Sequence, residues 1–494
     1  MRKTHLLLIT LSLAAAAVIV GILLAKESVP AEVTEAESLK GTSAAETAIP
    51  MTFEAESGQL QGDLTIGKQP AGFSGSGYVT GFKKPGDSVT IPVTAPADDI
   101  FELIVGYNGP SGDKDTELAV NGIAFGSVNL RKTAGFTEVS AGKIALNRGE
   151  NTITFNTGWG WYDIDYVKIT NAAKNQEHQV VKGLVNPNAT PEALALQRYL
   201  VDSYGTSILS GQQNLNDALE LKKPYGKLPA IVGFDMMDYS PSRVEHGAKS
   251  MEIDNALLWH DLGGIAAFTW HWNAPTDLID SGEKPWSSGF YTEATTFDLE
   301  NALADPDSKS YKLLLRDMDA IAEQLKKLQD AKIPVLWRPL HEAEGGWFWW
   351  GAKGPEPCKQ LWKLLYDRLT NVHHLNNLIW VWNSESPDWY PGDDTVDIIS
   401  VDSYPAAGDY SPDINRYENL VKLVQDKKLV AMAENGPIPD PDLLTKLQAN
   451  WSWYCTWGGE FINDGKQNTK EHIQKVLDSS YVITLDELPD FSTY

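Results

Sequence analysis

The sequence predicts an α/β chain in two folded parts, an all-β sandwich followed by a (β/α)8 TIM barrel. Three observations predict it. Short alternating runs recur between residues 51 and 171, punctuated by Gly, Pro, Asn and Asp. Eight apolar strand-like runs follow within 191–494, several separated by helical periodicity, which is the pattern of a barrel. The chain is 494 residues long, more than one core usually organises.

The elements follow in order. Arg2, Lys3 and His5 precede an uncharged apolar run, Leu6 to Ala25, so 1–26 read as an export signal peptide or a membrane anchor. Either way the remainder is expected outside the cell, secreted or held at the cell surface. Residues 27–50, mostly Ala, Glu, Thr and Ser, lack the apolar content to fold and read as a disordered spacer. The sandwich is assigned to 51–171, with strands expected at 88–93, 101–107, 117–120, 136–139, 152–155 and 166–169. A polar linker is expected over 172–190. Barrel strands are expected at 208–209, 230–234, 264–269, 333–337, 378–382, 396–401, 429–433 and 453–457.

Composition narrows the partners. A net charge of -25 and a pI near 4.7 argue against nucleic acid and anionic lipid, and suit a neutral polymer. Of the 17 Trp, all but Trp159 and Trp161 lie beyond residue 250, more than packing alone requires. The histidines show no metal-ligand spacing, so no catalytic metal or other cofactor is expected. Cys358 and Cys455 leave pairing open.

Barrel enzymes work at the C-terminal ends of their strands. Those ends carry Gln212, Asp235, His271 with Trp272, His341 with Glu342, Trp382 with Asn383, Asp402 with Tyr404, Glu434, and Trp457. The stretch Arg338-Pro339-Leu340-His341-Glu342 runs into Trp347-Phe348-Trp349-Trp350. A carboxylic acid beside flat rings suits sugar chemistry, because rings stack on pyranose faces and an acid protonates a glycosidic oxygen. Glu342 and Glu434, on the fourth and seventh strands, are the candidate pair. The aromatic neighbours favour Glu342 as the acid, since desolvation raises a carboxyl pKa.

These motifs, with Gly346 to Gly351, Asp402-Ser403-Tyr404-Pro405 and Ala433-Glu434-Asn435-Gly436, make residues 191–494 resemble glycoside hydrolase family 26. Its characterised members are mostly endo-β-1,4-mannanases. The resemblance implies a retaining enzyme with Glu342 as acid/base and Glu434 as nucleophile, acting on β-mannan as a monomer. Arg338 and His341 are expected to hold the nucleophile or the sugar. Tyr404 is expected to orient Glu434, and Asp402 to lie near the site. His271 and Trp286 are expected to border the cleaved bond, Trp347 to stack on the leaving-group side, and Trp457 to floor the reacting sugar. Residues 51–171 resemble carbohydrate-binding module family 35, through Phe53-Glu54-Ala55-Glu56, Gly75-Ser76-Gly77-Tyr78-Val79 and Asp163-Ile164-Asp165-Tyr166-Val167. A jelly-roll sandwich is implied. Glu54, Glu56 and Asp165 form a candidate oxygen cage for a structural Ca²⁺, and Trp159 and Trp161 a sugar platform. The alternatives are the same machinery acting on mixed-linkage β-glucan or β-1,3-xylan, exo action, and a non-catalytic carbohydrate-binding protein.

Overall fold

The computed structural model describes residues 49–173, 178–491 and 494. The predicted export or anchor segment and the spacer up to residue 48 lie outside the described residues. No helix among the described residues is long and apolar enough to cross a membrane.

Residues 51–171 form two antiparallel sheets packed face to face. One orders its strands Thr65–Gly67, Tyr78–Thr80, Asp163–Asn171, Asp99–Asn108 and Thr137–Leu146, with Met51–Glu54 also pairing with Asp163–Asn171. The other runs Gln59–Gln61, Ser88–Ala95, Gly149–Trp159, Lys114–Val120 and Ile123–Leu130. Period-two alternation supplies the core, as along Lys114–Val120, where every second residue is buried. Val89, Ile91, Leu103, Val105, Ile153, Phe155, Val167 and Ile169 fill the space between the sheets.

The second part is a closed barrel of eight parallel strands: Gly211–Gln213, Ile231–Asp235, Ile265–Trp270, Val335–Pro339, Leu378–Asn383, Ile398–Ser403, Leu429–Asn435 and Tyr454–Thr456. Leu378–Asn383 and Leu429–Asn435 are buried at every position, as strands covered on both faces must be. Among the outer helices, Lys309–Asp330 buries Leu314, Met318, Ile321, Leu325 and Leu328 along one stripe. Its first turn is capped by Ser308, whose hydroxyl accepts from the Tyr311 amide.

The first barrel strand corrects the sequence expectation. Ile208–Leu209 is apolar and buried, yet it pairs with Val482–Ile483 outside the barrel. The barrel strand is the polar Gly211–Gln213 just beyond it. Cys358 and Cys455 are buried and unpaired with each other. The stretch after residue 177 is pinned along the barrel: the Val181 amide donates to the Lys427 carbonyl at 3.1 Å, Val185 to Asp397 Oδ1 at 2.7 Å, and Thr190 to the Asn376 carbonyl at 2.8 Å.

Candidate active site

The fourth barrel strand ends in an unusual turn. Leu340 (φ 53°) and Glu342 (φ 52°) both lie in the left-handed region, where a side chain is costly. Two bonds hold the turn. The Glu342 amide donates to Asn383 Oδ1 at 2.8 Å, and Trp350 Nε1 donates to the His341 carbonyl at 2.9 Å. The turn lifts the Glu342 carboxyl half-buried into the barrel mouth, where Trp347 Nε1 donates to its Oε2 at 2.9 Å. Gly345 is needed for this, since a Cβ there would meet the Trp347 ring at 2.0 Å.

The seventh strand places Glu434 by a different device. Its ladder with the sixth strand steps from Val401↔Met432 to Asp402↔Glu434, so Ala433 is an extra residue and the bulge sets Glu434 opposite Asp402. Glu342, Asp402 and Glu434 each present a carboxylate oxygen, and these oxygens lie within 4.8 Å of one another. Three carboxylates so close require positive charge. Arg338 supplies it from the fourth strand, with Nη1 at 2.9 Å from Asp402 Oδ2 and Nη2 on Glu434 Oε1. Tyr404, next after the sixth strand, donates its hydroxyl to Glu434 Oε2 at 2.9 Å. Asn383 donates to Asp402 Oδ1 at 2.9 Å.

The two glutamates are electrostatically unequal. Burial, then the charges of Asp402 and Glu434, push Glu342 up to about 8. Burial and Asp402 also raise Glu434, to about 7, but Arg338, His271 and the Tyr404 hydroxyl pull it back. A proton offered to the pair therefore settles on Glu342.

Behind the carboxylates runs a polar chain. Asp235, at the end of the second strand, accepts from the His271 and Met237 amides on Oδ1 at 3.1 and 2.8 Å, and lies 2.6 Å from His271 Nδ1 through Oδ2. His271 Nε2 is 3.2 Å from His341 Nε2, and His341 Nδ1 is 2.9 Å from Thr269 Oγ1. Thr269 donates its hydroxyl to the Arg338 carbonyl at 3.2 Å, which leaves its oxygen to accept from His341. His341 Nε2 is then bare and accepts from His271, which carries protons on both nitrogens. Charges agree with this assignment. Burial opposes a charged His271, but the charge and hydrogen bond of Asp235 raise its pKa overall. Burial, with Arg338 and His271 nearby, drives His341 well down.

Most predicted residues meet here, with two corrections. His341 is buried and touches neither Glu434 nor the open mouth; it bonds Thr269 and His271 instead. Of the four consecutive aromatics only Trp347 faces outward, at 49% exposed, while Phe348, Trp349 and Trp350 are core. Trp349 Nε1 is bonded to the Trp272 carbonyl, and Trp350 stacks on Phe348. Trp457 edges toward His271, ring centroids 6.4 Å apart. Trp286 stands off, stacked on His246 at 4.6 Å with Arg243 across its ring. Sequence reading gave no role to Asp235, Thr269 and Asn383. It also passed over Tyr291 and Thr292, which brace the turn before Trp347: Tyr291 stacks on Phe348, and the Thr292 amide donates to the Trp347 carbonyl at 2.7 Å.

In the sandwich, Glu54, Glu56 and Asp165 gather around the 74–77 loop. Asp165 accepts from the Ser74 amide, Glu54 Oε1 from the Ser74 hydroxyl at 2.7 Å, and Glu56 Oε1 from the Ser76 amide at 2.6 Å. A Cβ on Gly75 would lie 2.5 Å from Glu56 Oε1 and 3.0 Å from Glu54 Oε2. The Oε2 atoms of both glutamates are buried without a hydrogen-bond partner among the described residues. Burial, with the charges of Glu54 and Glu56, pushes Asp165 up to about 6 against the pull of the Ser74 amide. Hard oxygen donors in unmet excess fit a Ca²⁺ ion. At the far end of Gly149–Trp159, Trp159 and Trp161 are 64% and 56% exposed, with Lys114 Nζ 4.0 Å over one ring and Lys83 Nζ 5.3 Å over the other.

Comparison with known proteins agrees with this geometry. Residues 51–172 match the model of carbohydrate binding module family 35, and residues 185–487 that of glycosyl hydrolase family 26. A mannan endo-1,4-beta-mannosidase of Thermothelomyces thermophilus is 51% identical over 437 residues, 88% of this chain and 90% of its own. Mannan endo-1,4-beta-mannosidase A of Piromyces sp is 36% identical over 89% of this chain and 73% of its own. The crystal structure of a Podospora anserina GH26-CBM35 beta-(1,4)-mannanase superposes with a TM-score of 0.68 at 49% identity, covering 90% of this chain and 99% of that one. With two carboxylates facing each other across the mouth of an eight-stranded barrel and a sandwich module before it, the chain belongs to glycosyl hydrolase family 26.

Proposed function

We propose that the protein is an extracellular endo-β-1,4-mannanase that cleaves mannan, glucomannan or galactomannan with retention. One observation carries the mechanism: carboxylate oxygens of Glu342 and Glu434 lie within 4.8 Å of each other and differ in their partners. Retaining enzymes separate their carboxyls by about 5–5.5 Å, inverting ones by about 6.5–9.5 Å to admit a water. Glu434, gripped by Arg338 and Tyr404, is the nucleophile. It attacks the anomeric carbon while Glu342 delivers its proton to the departing glycosidic oxygen. The glycosyl ester on Glu434 is then opened by water, whose proton returns to Glu342. The His271 cation, held by Asp235, faces the same sugar. Trp347 and Trp457 offer ring faces on either side of the broken bond, with Trp286 farther along the groove. Both glutamates, Arg338, Asp402 and Tyr404 come from one chain, so a monomer suffices.

The module holds polysaccharide near the barrel through Trp159 and Trp161, which leave ring surface uncovered beside their lysines. Glu54, Glu56 and Asp165 hold Ca²⁺ there in a structural role. The long apolar segment near the N-terminus delivers the chain outside the cell.

The test is reducing sugar released from β-mannan, mixed-linkage β-glucan and β-1,3-xylan, with Glu342→Ala and Glu434→Ala as controls. Cleavage of mannan that both substitutions abolish, giving a first product of unchanged anomeric configuration, is the expected result. Cleavage of only glucan or xylan would remove the mannan assignment. Binding without cleavage of any would remove the enzyme.

A further inference from the structure

The sandwich module rests on the segment that carries part of the catalytic machinery. The loop Tyr404 to Asp413 leaves the sixth barrel strand and enters the helix Ile414–Leu423. The barrel grips one side of it: Tyr410 stacks on His472 with centroids 3.4 Å apart, its hydroxyl accepts from the Thr469 amide at 2.9 Å, and the Gly408 amide donates to the Gln467 carbonyl at 3.2 Å.

The module grips the other side. In strand Thr137–Leu146 the register steps from Leu103↔Gly142 to Ile104↔Ser140, so Ala141 is a bulge residue and its carbonyl turns outward. That carbonyl accepts from Asn415 Nδ2 at 2.8 Å. Gly142, at φ 82°, lies so close that a Cβ would fall 1.5 Å from Asn415 Oδ1. Lys143 pairs with Glu418 at 2.6 Å, its side chain only 6% exposed. On Ile123–Leu130, the edge strand of the other sheet, the Gly126 amide donates to Asp409 Oδ2 at 3.3 Å, and Phe125 packs against the cores of both the module and the barrel.

Between Asn415 and Glu418 stands Arg416. Its Nη1 donates at 2.7 Å to the carbonyl of Asp402, and its Nε bonds Glu385 at 2.9 Å. The helix that the module clasps on one face therefore holds the backbone of Asp402, two residues before Tyr404, from another. From this juxtaposition we infer that the module is a positioning element for catalysis: by clamping the 404–413 loop and the helix after it, it holds Tyr404 and Asp402 against Glu434, whether or not it binds polysaccharide.

The inference rests on the hydrolase reading, and the experiment separates the two. Turnover of mannopentaose, soluble and short, by the unmodified chain tests the reading; the ratio of variant to unmodified chain tests the inference. Lys143→Glu opposes Glu418, and Gly142→Phe wedges the strand off Asn415. Both are expected to lower kcat, by several-fold and by about tenfold respectively, with little change in KM, because misplacing a group at the reacting centre costs turnover rather than binding. Exchange of the 404–413 amides should quicken. The acidic limb of kcat/KM should move to higher pH, since Glu434 loses part of the Tyr404 hydrogen bond while Arg338, His271, Asp402 and Glu342 still face it. Lys143→Glu combined with Glu418→Lys should restore kcat. Unchanged kcat in both single variants would overturn the inference. So would a loss that the paired reversal leaves in place, or a loss without the pH shift. Calorimetry of the barrel transition guards against a variant that is merely unfolded.

Discussion

At the scale of single residues, the site works by making like groups unlike. Two glutamates share a barrel mouth, yet one is held by a cation and a phenol and the other by an indole. The proposed mechanism needs Glu342 protonated and Glu434 ionised, so activity should fade as pH rises through the raised pKa of Glu342 and as pH falls through that of Glu434. His271 adds a second dependence. Its proton is kept by Asp235, with His341, Glu434 and Arg338 also facing the ring, and with Glu252, which burial and Asp235 push up to about 7, behind Asp235. Asp235→Asn removes the charge that raises His271, so His271 should lose its proton at lower pH. The expected outcome is a kcat/KM lowered about 10- to 100-fold, the worth of a charged hydrogen bond of about 1.5–3 kcal/mol. Its alkaline limb should move toward lower pH, read from a full pH profile. Glu342, Glu434 and Tyr404 were legible in the sequence because they lie in compact motifs at strand ends. Asp235 stood at a strand end too, but its meaning depends on His271, a partner 36 positions away. The aromatic run shows a different limit. Trp347 and Trp350 are the same residue three positions apart, one exposed and one buried, and the positive-φ turn at Glu342 decides which is which.

At the scale of elements, apolar runs and punctuation found seven of the eight barrel strands close to where they lie. The first, Gly211–Gln213, is hidden because it is polar, Gly-Gln-Gln, beside the apolar pair Ile208–Leu209. Gly233 makes room for Gln213 inside the barrel: a Cβ there would meet Gln213 Oε1 at 1.9 Å. The bulges at Ala433 and Ala141 were equally hidden, since register is a relation between strands rather than a property of one. Helix ends are set locally. Ser308 precedes the helix Lys309–Asp330, and its hydroxyl accepts from the Tyr311 amide. Ser308→Ala should lower stability by about 1 kcal/mol and leave kcat unchanged, measurable as a shift of the urea midpoint at constant slope.

At the scale of the whole molecule, the sandwich and the barrel each have a core, and the proposed Ca²⁺ site belongs to the sandwich. In the metal-free module Asp165 has a raised pKa, so its contribution to stability is present at low pH and lost as pH rises through about 6, when it ionises beside Glu54 and Glu56. Ca²⁺ bound at the proposed site would reverse this by favouring all three carboxylates. A chelator should therefore lower the melting temperature much more at pH 7.5 than at pH 5, and added Ca²⁺ should restore it. Equal shifts at the two values would count against the ion. The sequence showed both parts of the molecule but suggested a polar linker between them. It could not show that the stretch after residue 177 lies bonded along the barrel, because those bonds are made to residues about 190 to 270 positions away.

The firm seat of the module on the barrel has a consequence on solid substrate. A tethered domain lets its enzyme sweep an area while anchored. A domain fixed to its enzyme presents one patch of fibre to the groove for as long as the anchor lasts. Once the bonds within that patch are cut, nothing more happens until the whole molecule detaches. The dwell time of the module then caps the rate on insoluble mannan, and an intermediate grip gives the fastest erosion. A variant that grips mannan more tightly should digest solid fibre more slowly than the unmodified chain at saturating load, while hydrolysing soluble oligosaccharide at the same rate.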